Sequence, residues 1–355
     1  VRGSHGISFT HSKIKMNFKN ANLVALAAAA ALLLPALPAQ AADSSVQLYG
    51  LLGMYLGKMD RSGGPGSVTQ LGQGGLVTSY IGFKGSEDLG AGLSAIFALE
   101  AWLQPDNGNV GRSAADPFFS RNSYVGLQGS FGRVTAGRQT NPTYLNLGSL
   151  SAFGGSTVFS PVVLQSFIAP YGGAITGDTV WNNAIEYATP RWSGFSFTGI
   201  YSLGEVPDKA SVANLGLHAN YANGPFTAAF SAQRVRTPVV APMTQQTAYL
   251  GGATYDFKVA KMYGSLGHTT AQGTHNETRT GSLGVRVPAG PRGALLAEWA
   301  RTKREAATDT VRNTGSIGYD HFLSKRTDLY LVYSRDRLTG FESAGSFAVG
   351  VRHTF

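Results

Sequence analysis

Cysteine is missing altogether from the 355 residues, which removes a disulfide scaffold, a thiol nucleophile and any cysteine metal site. Charge is sparse as well: Asp, Glu, Lys and Arg make up only 14% of the chain, too little for a coiled coil or a disordered polyelectrolyte. No cluster of Lys and Arg marks a nucleic-acid surface. Long apolar runs are nearly absent, since Leu23 to Leu34 stands alone and is well short of the ~18 residues of a membrane helix. Hydrolase motifs are lacking too. None of His218, His268, His275, His321 and His353 sits in a GxSxG or HExxH setting, so no catalytic residue, metal ligand or cofactor is expected and the chain does not read as an enzyme.

The lone apolar run belongs to a leader. From Met16 the sequence reads "MNFKNANLVALAAAAALLLPALPAQA", a basic start, an apolar stretch and a small-residue site after Ala41. That is the pattern of a secretory signal peptide, residues 16–41. Residues 1–15 precede a complete signal and form an upstream extension, either a misassigned start or a cloning remnant. The leader carries Arg2, Lys13, Lys15 and Lys19 and no acid, so the rest has 29 − 4 = 25 basic and 20 acidic residues, a net charge of +5.

What the remaining chain, 42–355, has in abundance is glycine (46 in all), aromatics (11%) and a period of two. In Leu93, Ala95, Phe97, Leu99, Ala101 and Leu103 against Ser94, Ala98, Glu100 and Gln104, one face is apolar and the other mostly polar. Such alternation describes a strand between an apolar medium and water. It recurs in sixteen segments, near 46–58, 77–85, 91–103, 119–129, 132–139, 183–189, 194–203, 212–222, 225–234, 246–256, 259–268, 278–287, 293–302, 312–322, 325–335 and 345–355. Most have about ten residues, the length a tilted strand needs to cross a bilayer.

The connections alternate between tight turns such as "GSFGR", "ANGP" and "LSKR" and longer polar loops such as "MDRSGGPGSVTQLGQGG" and "TKREAATDTV". Sorting short turns to one side and long loops to the other predicts an all-β fold: a transmembrane antiparallel β-barrel of 16 strands with both termini on the short-turn side. One connection is far longer. About 140–182 is rich in Gly, Ser, Phe and Tyr, has no Lys or Arg and holds one acid, Asp178. A loop so apolar is expected to fold into the lumen, packing Tyr144, Phe153, Phe159, Phe167 and Tyr171 on the wall and narrowing the pore.

The motifs "SSVQLYGLL", "IGFKGSEDLGAGLSAIFALE", "RNSYVGLQGSFGRVTAGRQ", "NNAIEYATPRWSGFSF", "LSKRTDLYLVYS" and "GVRHTF" span Ser44 to Phe355. Together they resemble the sixteen-stranded general porins of Gram-negative bacteria, most closely the β-proteobacterial branch. The resemblance implies a homotrimer of water-filled pores in the outer membrane, surrounded by lipid and lipopolysaccharide, each passing small hydrophilic solutes and anions. It also implies that the terminal Phe355 is read by the barrel-assembly machinery. Tyr80 and Val180 stand where that branch often has arginine, and Gly53 where it often has Asp, which argues against a full arginine ladder and very strong anion selectivity; the long loop has almost no carboxylate to oppose the basic groups, so a mild to moderate anion preference is expected.

Fixed charges at a narrow throat set which ions enter. Alternation turns Lys84, Glu100 and Glu186 to the lumen, with Tyr80 beside Lys84 as an uncharged wall. Arg121 is ambiguous by pattern, and the resemblance implies a lumen arginine there. Arg138 shares a face with Val134 and Ala136 and reads as a subunit-interface or loop-anchoring group. Glu298, Asp320 and Arg352 are inward by alternation, in pore or wall salt bridges. A substrate-specific channel, a barrel enzyme and an adhesin are the rival classes.

Overall fold

The computed structural model describes residues 45–209, 212–274 and 276–355. The signal peptide 16–41 and the extension 1–15 lie outside the described residues. Sixteen strands build the wall: β1 (Ser45–Met59), β2 (Tyr80–Gly90), β3 (Leu93–Gln104), β4 (Ser123–Gly129), β5 (Gly132–Thr140), β6 (Val180–Ala188), β7 (Phe195–Leu203) and β8 (Ala213–Asn223), then β9 (Phe226–Val235), β10 (Gln245–Asp256), β11 (Lys261–Gln272), β12 (Asn276–Pro288), β13 (Gly293–Glu305), β14 (Thr310–Phe322), β15 (Thr327–Leu338) and β16 (Ala344–Thr354). Each pairs antiparallel with the next, and β1 pairs with β16 from Leu51↔Thr354 to Lys58↔Phe347, so no edge is left open. Phe355 seals the seam. Its N–H donates to Gly50 O and its carbonyl accepts from Gly50 N, both at 3.1 Å.

The pattern of exposure inverts that of a water-soluble domain. On β16, Phe347, Val349 and Val351 are exposed on the outside, while Ser346 and Ala348 are buried within. A barrel wet inside and immersed in lipid outside requires that inversion. His353, at the rim, pairs its Nδ1 with Thr327 Oγ1 at 2.8 Å.

Two departures from the expected outline have physical causes. Loop residues Val68–Gln73 form a short strand that pairs back on β1, and Asn109–Val110 pair with the end of β3. They account for the eighteen strands of the sheet. The links after β11 and β13 are also shorter than their polarity suggests, because the ladders Thr270↔Glu277 and Arg304↔Thr310 continue past the apolar band.

The long connection runs from Asn141 to Thr179; Thr140 and Val180 already pair across β5 and β6. Inside it, α1 (Pro142–Ser149) starts after Asn141, whose side chain accepts from Thr143 N, and α2 (Pro161–Phe167) starts after Ser160, which accepts from Val163 N. Each has proline at its first position, where no N–H is needed.

Candidate functional site

The long loop is bound to the barrel's inner wall by both apolar and polar contacts. Phe153 and Phe159 pack with Leu296, Tyr330 and Val332, and Phe159 meets Tyr55 and Tyr330 edge-on at 5.6 and 6.1 Å. Tyr144 packs against Phe167 at 5.5 Å and donates its hydroxyl to Gly155 O. Tyr171 lies under Arg312 and Arg61, at 5.1 and 5.9 Å from its ring centre. Phe153 and Phe159 are buried in this packing, whereas Tyr144, Phe167 and Tyr171 are half-buried.

The polar contacts converge on one wall carboxylate. Glu298 of β13 is buried and accepts from Ser151 Oγ (2.5 Å), Ala152 N (2.9 Å), Val162 N (3.2 Å), Phe153 N and Ser160 Oγ (both 3.4 Å). Gln165 of α2 extends the contact, donating to Thr314 Oγ1 and accepting from Thr302 Oγ1. Alternation had placed Glu298 inward without indicating that it holds the loop.

The loop helices pack on β8, β9 and β12–β14, leaving the wall at β2–β4 across the ring. There Glu100 is buried among three donors: Tyr49 Oη and Arg121 Nη1, both at 2.5 Å, and Asn122 Nδ2. Above it, Arg121 lies over the rings of Tyr80 (4.4 Å) and Trp102 (5.2 Å). Tyr80 is thus a platform for Arg121. Lys84 is exposed beside them, its Nζ 4.8 Å from the ring centre of Tyr49.

Four of the wall ion pairs share an orientation, whereas Arg312 and Asp336 are both buried and Asp178 of the loop, at 39%, is more exposed than Arg112 or Arg138. Side-chain exposure is 23% for Arg121 against 4% for Glu100, 38% for Arg133 against 8% for Glu186, 34% for Arg286 against 3% for Asp320, and 22% for Arg352 against 8% for Asp328. In each, the carboxylate is sunk into the wall and the guanidinium faces the water. Glu100 and Glu186 are therefore on the lumen face but act as covered counter-ions, because arginine's longer stem reaches over them.

At the loop's far end, Asp178 takes two bonds from Arg112 (2.7 and 2.8 Å), which also grips Asp116, and lies 3.7 Å from Arg138. Arg138 itself donates to Ser120 O and Asn182 Oδ1, on either side of the loop's end. The β5 bulge at Gly137 (φ +139) turns the chain here; a Cβ there would lie 2.2 Å from Ser123 O. Burial works to raise the Asp178 and Asp116 carboxyls, but the bonds and charge of Arg112 outweigh it and hold both below the ordinary range. Since the folded values are depressed, this tie is present at neutral pH and lost as pH falls through them, below about 4. Open-channel noise is expected to rise at pH 3 and, in Asp178→Asn, already at pH 7; a quiet channel in both would refute the tie.

A closed antiparallel barrel, apolar outside, charged within and narrowed by an inserted third loop, is a porin. A family model described as Gram-negative porin matches residues 25–340, and the chain belongs to that family. It is 32% identical over 343 residues to outer membrane porin protein 32 of Delftia acidovorans, covering 93% of this chain and 95% of that one. An outer membrane porin of Bordetella pertussis is 28% identical, with 92% and 98% covered. Among solved structures, the anion-selective porin from Comamonas acidovorans superposes with a TM-score of 0.76 at 30% identity, covering 88% of this chain and all of that one. The protein is an outer-membrane porin through which small hydrophilic solutes diffuse.

Proposed function

We propose that this porin is a homotrimeric general diffusion channel with a mild to moderate preference for anions. The observation that carries the preference is the orientation of four wall ion pairs, guanidinium to water and carboxylate to wall. Lys84 adds an exposed cation, and the carboxylate of the wall that meets the loop, Glu298, is covered by it. A residual potential of about one kT in the throat favours an anion over a cation roughly sevenfold. The likeness to a porin described as anion-selective supports the same reading. Trimeric assembly and recognition of Phe355 by the assembly machinery follow from the family resemblance.

Planar-bilayer recording tests this. Three equal conductance steps are expected per inserted unit. Replacing chloride by gluconate should lower conductance more than replacing potassium by Tris. The opposite order would rule out anion preference.

A further inference from the structure

Two arginines at the long-loop end of the lumen are bonded to neutral carbonyls in place of carboxylates. Arg61, in the loop after β1, donates Nη1 to Pro170 O at 2.5 Å, and Arg304, near the end of β13, donates Nη2 to Gly172 O. Alternation on β13 turns Arg304 inward with Thr302, which meets Gln165 of the long loop. Neither guanidinium has a carboxylate partner among the described residues. Asp336 is taken by Arg312 and Thr314, and Glu305 by Lys303 on the outer face. Asp60 and Asp309 accept from backbone N–H groups, and Glu342 is exposed and bonds to neither arginine.

A guanidinium bonded to a carbonyl keeps its full charge. It has five N–H donors in a planar fork that matches phosphate two at a time, and each of these side chains uses only one on the loop. Bonds from arginine to an ionised acceptor are about twice as strong as bonds to a neutral one. The loop brings the two groups together: Pro170 and Gly172 are two residues apart, which keeps their Cα atoms within about 7 Å. Between them Tyr171 carries Arg61 and Arg312 on its ring at 5.9 and 5.1 Å, and Arg312 is fixed in turn by Asp336 and Ser62 O. Both arginines are half-buried, held in place yet open to the water of the mouth, so an anion that joins them orders little.

We infer that Arg61 and Arg304 bind a phosphate dianion at the outer mouth, bridged between the two guanidiniums beside the loop tip, so that phosphate and small phosphate esters dwell there while chloride passes. The inference rests on the anion-preferring channel reading and adds a site to it, on the loop's side of the lumen and across from Arg121. Both side chains reach loop carbonyls inside the barrel, so the ligand is a dissolved phosphate and not a lipid headgroup.

The test is the chloride current of reconstituted channels at pH 8, where inorganic phosphate is mostly the dianion, titrated with phosphate and, as control, with nitrate. In wild type, phosphate should lower the current along a saturating curve, and nitrate should not. Arg61→Gln with Arg304→Gln should raise the half-blocking phosphate concentration at least about tenfold. Arg61→Lys with Arg304→Lys keeps both charges and a donor for each carbonyl but removes the forks, so it should keep a steady chloride current and still lose much of the phosphate block. No saturation in wild type, or a lysine variant as sensitive as wild type, would overturn the site. So would a glutamine variant that flickers with its phosphate block intact, which would mark the pair as a loop clamp alone. Equilibrium dialysis of radiolabelled phosphate against the detergent-solubilised protein separates this inference from the reading beneath it. Phosphate binding without anion preference in KCl defeats the preference alone, and anion preference without phosphate binding defeats the site alone.

Discussion

Glu298→Ala is expected to raise single-channel conductance and make the current flicker between substates. Glu298 is the acceptor for loop donors drawn from two turns of chain, Ser151–Phe153 and Ser160–Val162. Alanine leaves these buried N–H and O–H groups without an acceptor. Each such loss costs about 1–3 kcal/mol, and removing one partner of a buried charged network typically costs about 3–5 kcal/mol. Set against this, Phe159 still packs between Tyr55 and Tyr330, and the strand ladders do not depend on the loop. The loop should therefore swing rather than leave, and the barrel should remain folded. Glu298→Gln keeps one acceptor oxygen and should fall between wild type and alanine. Chymotrypsin, which cuts after aromatic residues, should cleave the loop in the alanine variant first. Steady wild-type currents and wild-type protease resistance in Glu298→Ala would show that the loop is held by its apolar contacts alone.

Arg121→Ala is expected to shift ion selectivity further than any other single lumen substitution. The guanidinium is lost, and in the same step Glu100, buried beneath it, is uncovered to the lumen. Tyr49 and Asn122 still donate to Glu100, so its side chain stays in place. The throat thus loses a positive charge and gains an exposed negative one. A unit charge about 4 Å from a passing ion is worth about 1 kcal/mol even in bulk water, so the permeability ratio should move toward cations by about fivefold or more. Arg121→Ala combined with Glu100→Gln removes both members and should shift it less. If the double variant moves selectivity as far as the single one, the uncovered carboxylate has no part in it.

The barrel was legible in the sequence because each strand has two solvents. Leu295 and Trp299 alternate with Leu296, Glu298 and Ala300, and that period reports the wall directly, independent of any partner. Lys84, Glu100 and Glu186 were placed on the lumen face for the same reason. Alternation gives a face and not a neighbour, however. Glu298's donors lie more than a hundred residues away along the chain, and no local pattern announces them, although "SPVV" at Ser160 does signal a helix start that favours a nearby carboxylate. Arg121 precedes β4, where the two-residue phase is not yet set, so its direction came from family resemblance and its seat on Tyr80 and Trp102 only from the structure. The strand Val68–Gln73 was invisible because it is a polar, glycine-flanked segment held only by β1. Arg133, Arg286 and Arg112 were missed because single arginines on a polar face do not show which carboxylate they cover.

The preference for anions is tested most directly by the zero-current potential of the wild-type channel across a tenfold KCl gradient. If guanidinium groups face the water and their carboxylates the wall, chloride leads, and the dilute side becomes negative relative to the concentrated side by a few tens of millivolts. A dilute side that becomes positive would mean that potassium leads and would contradict the account.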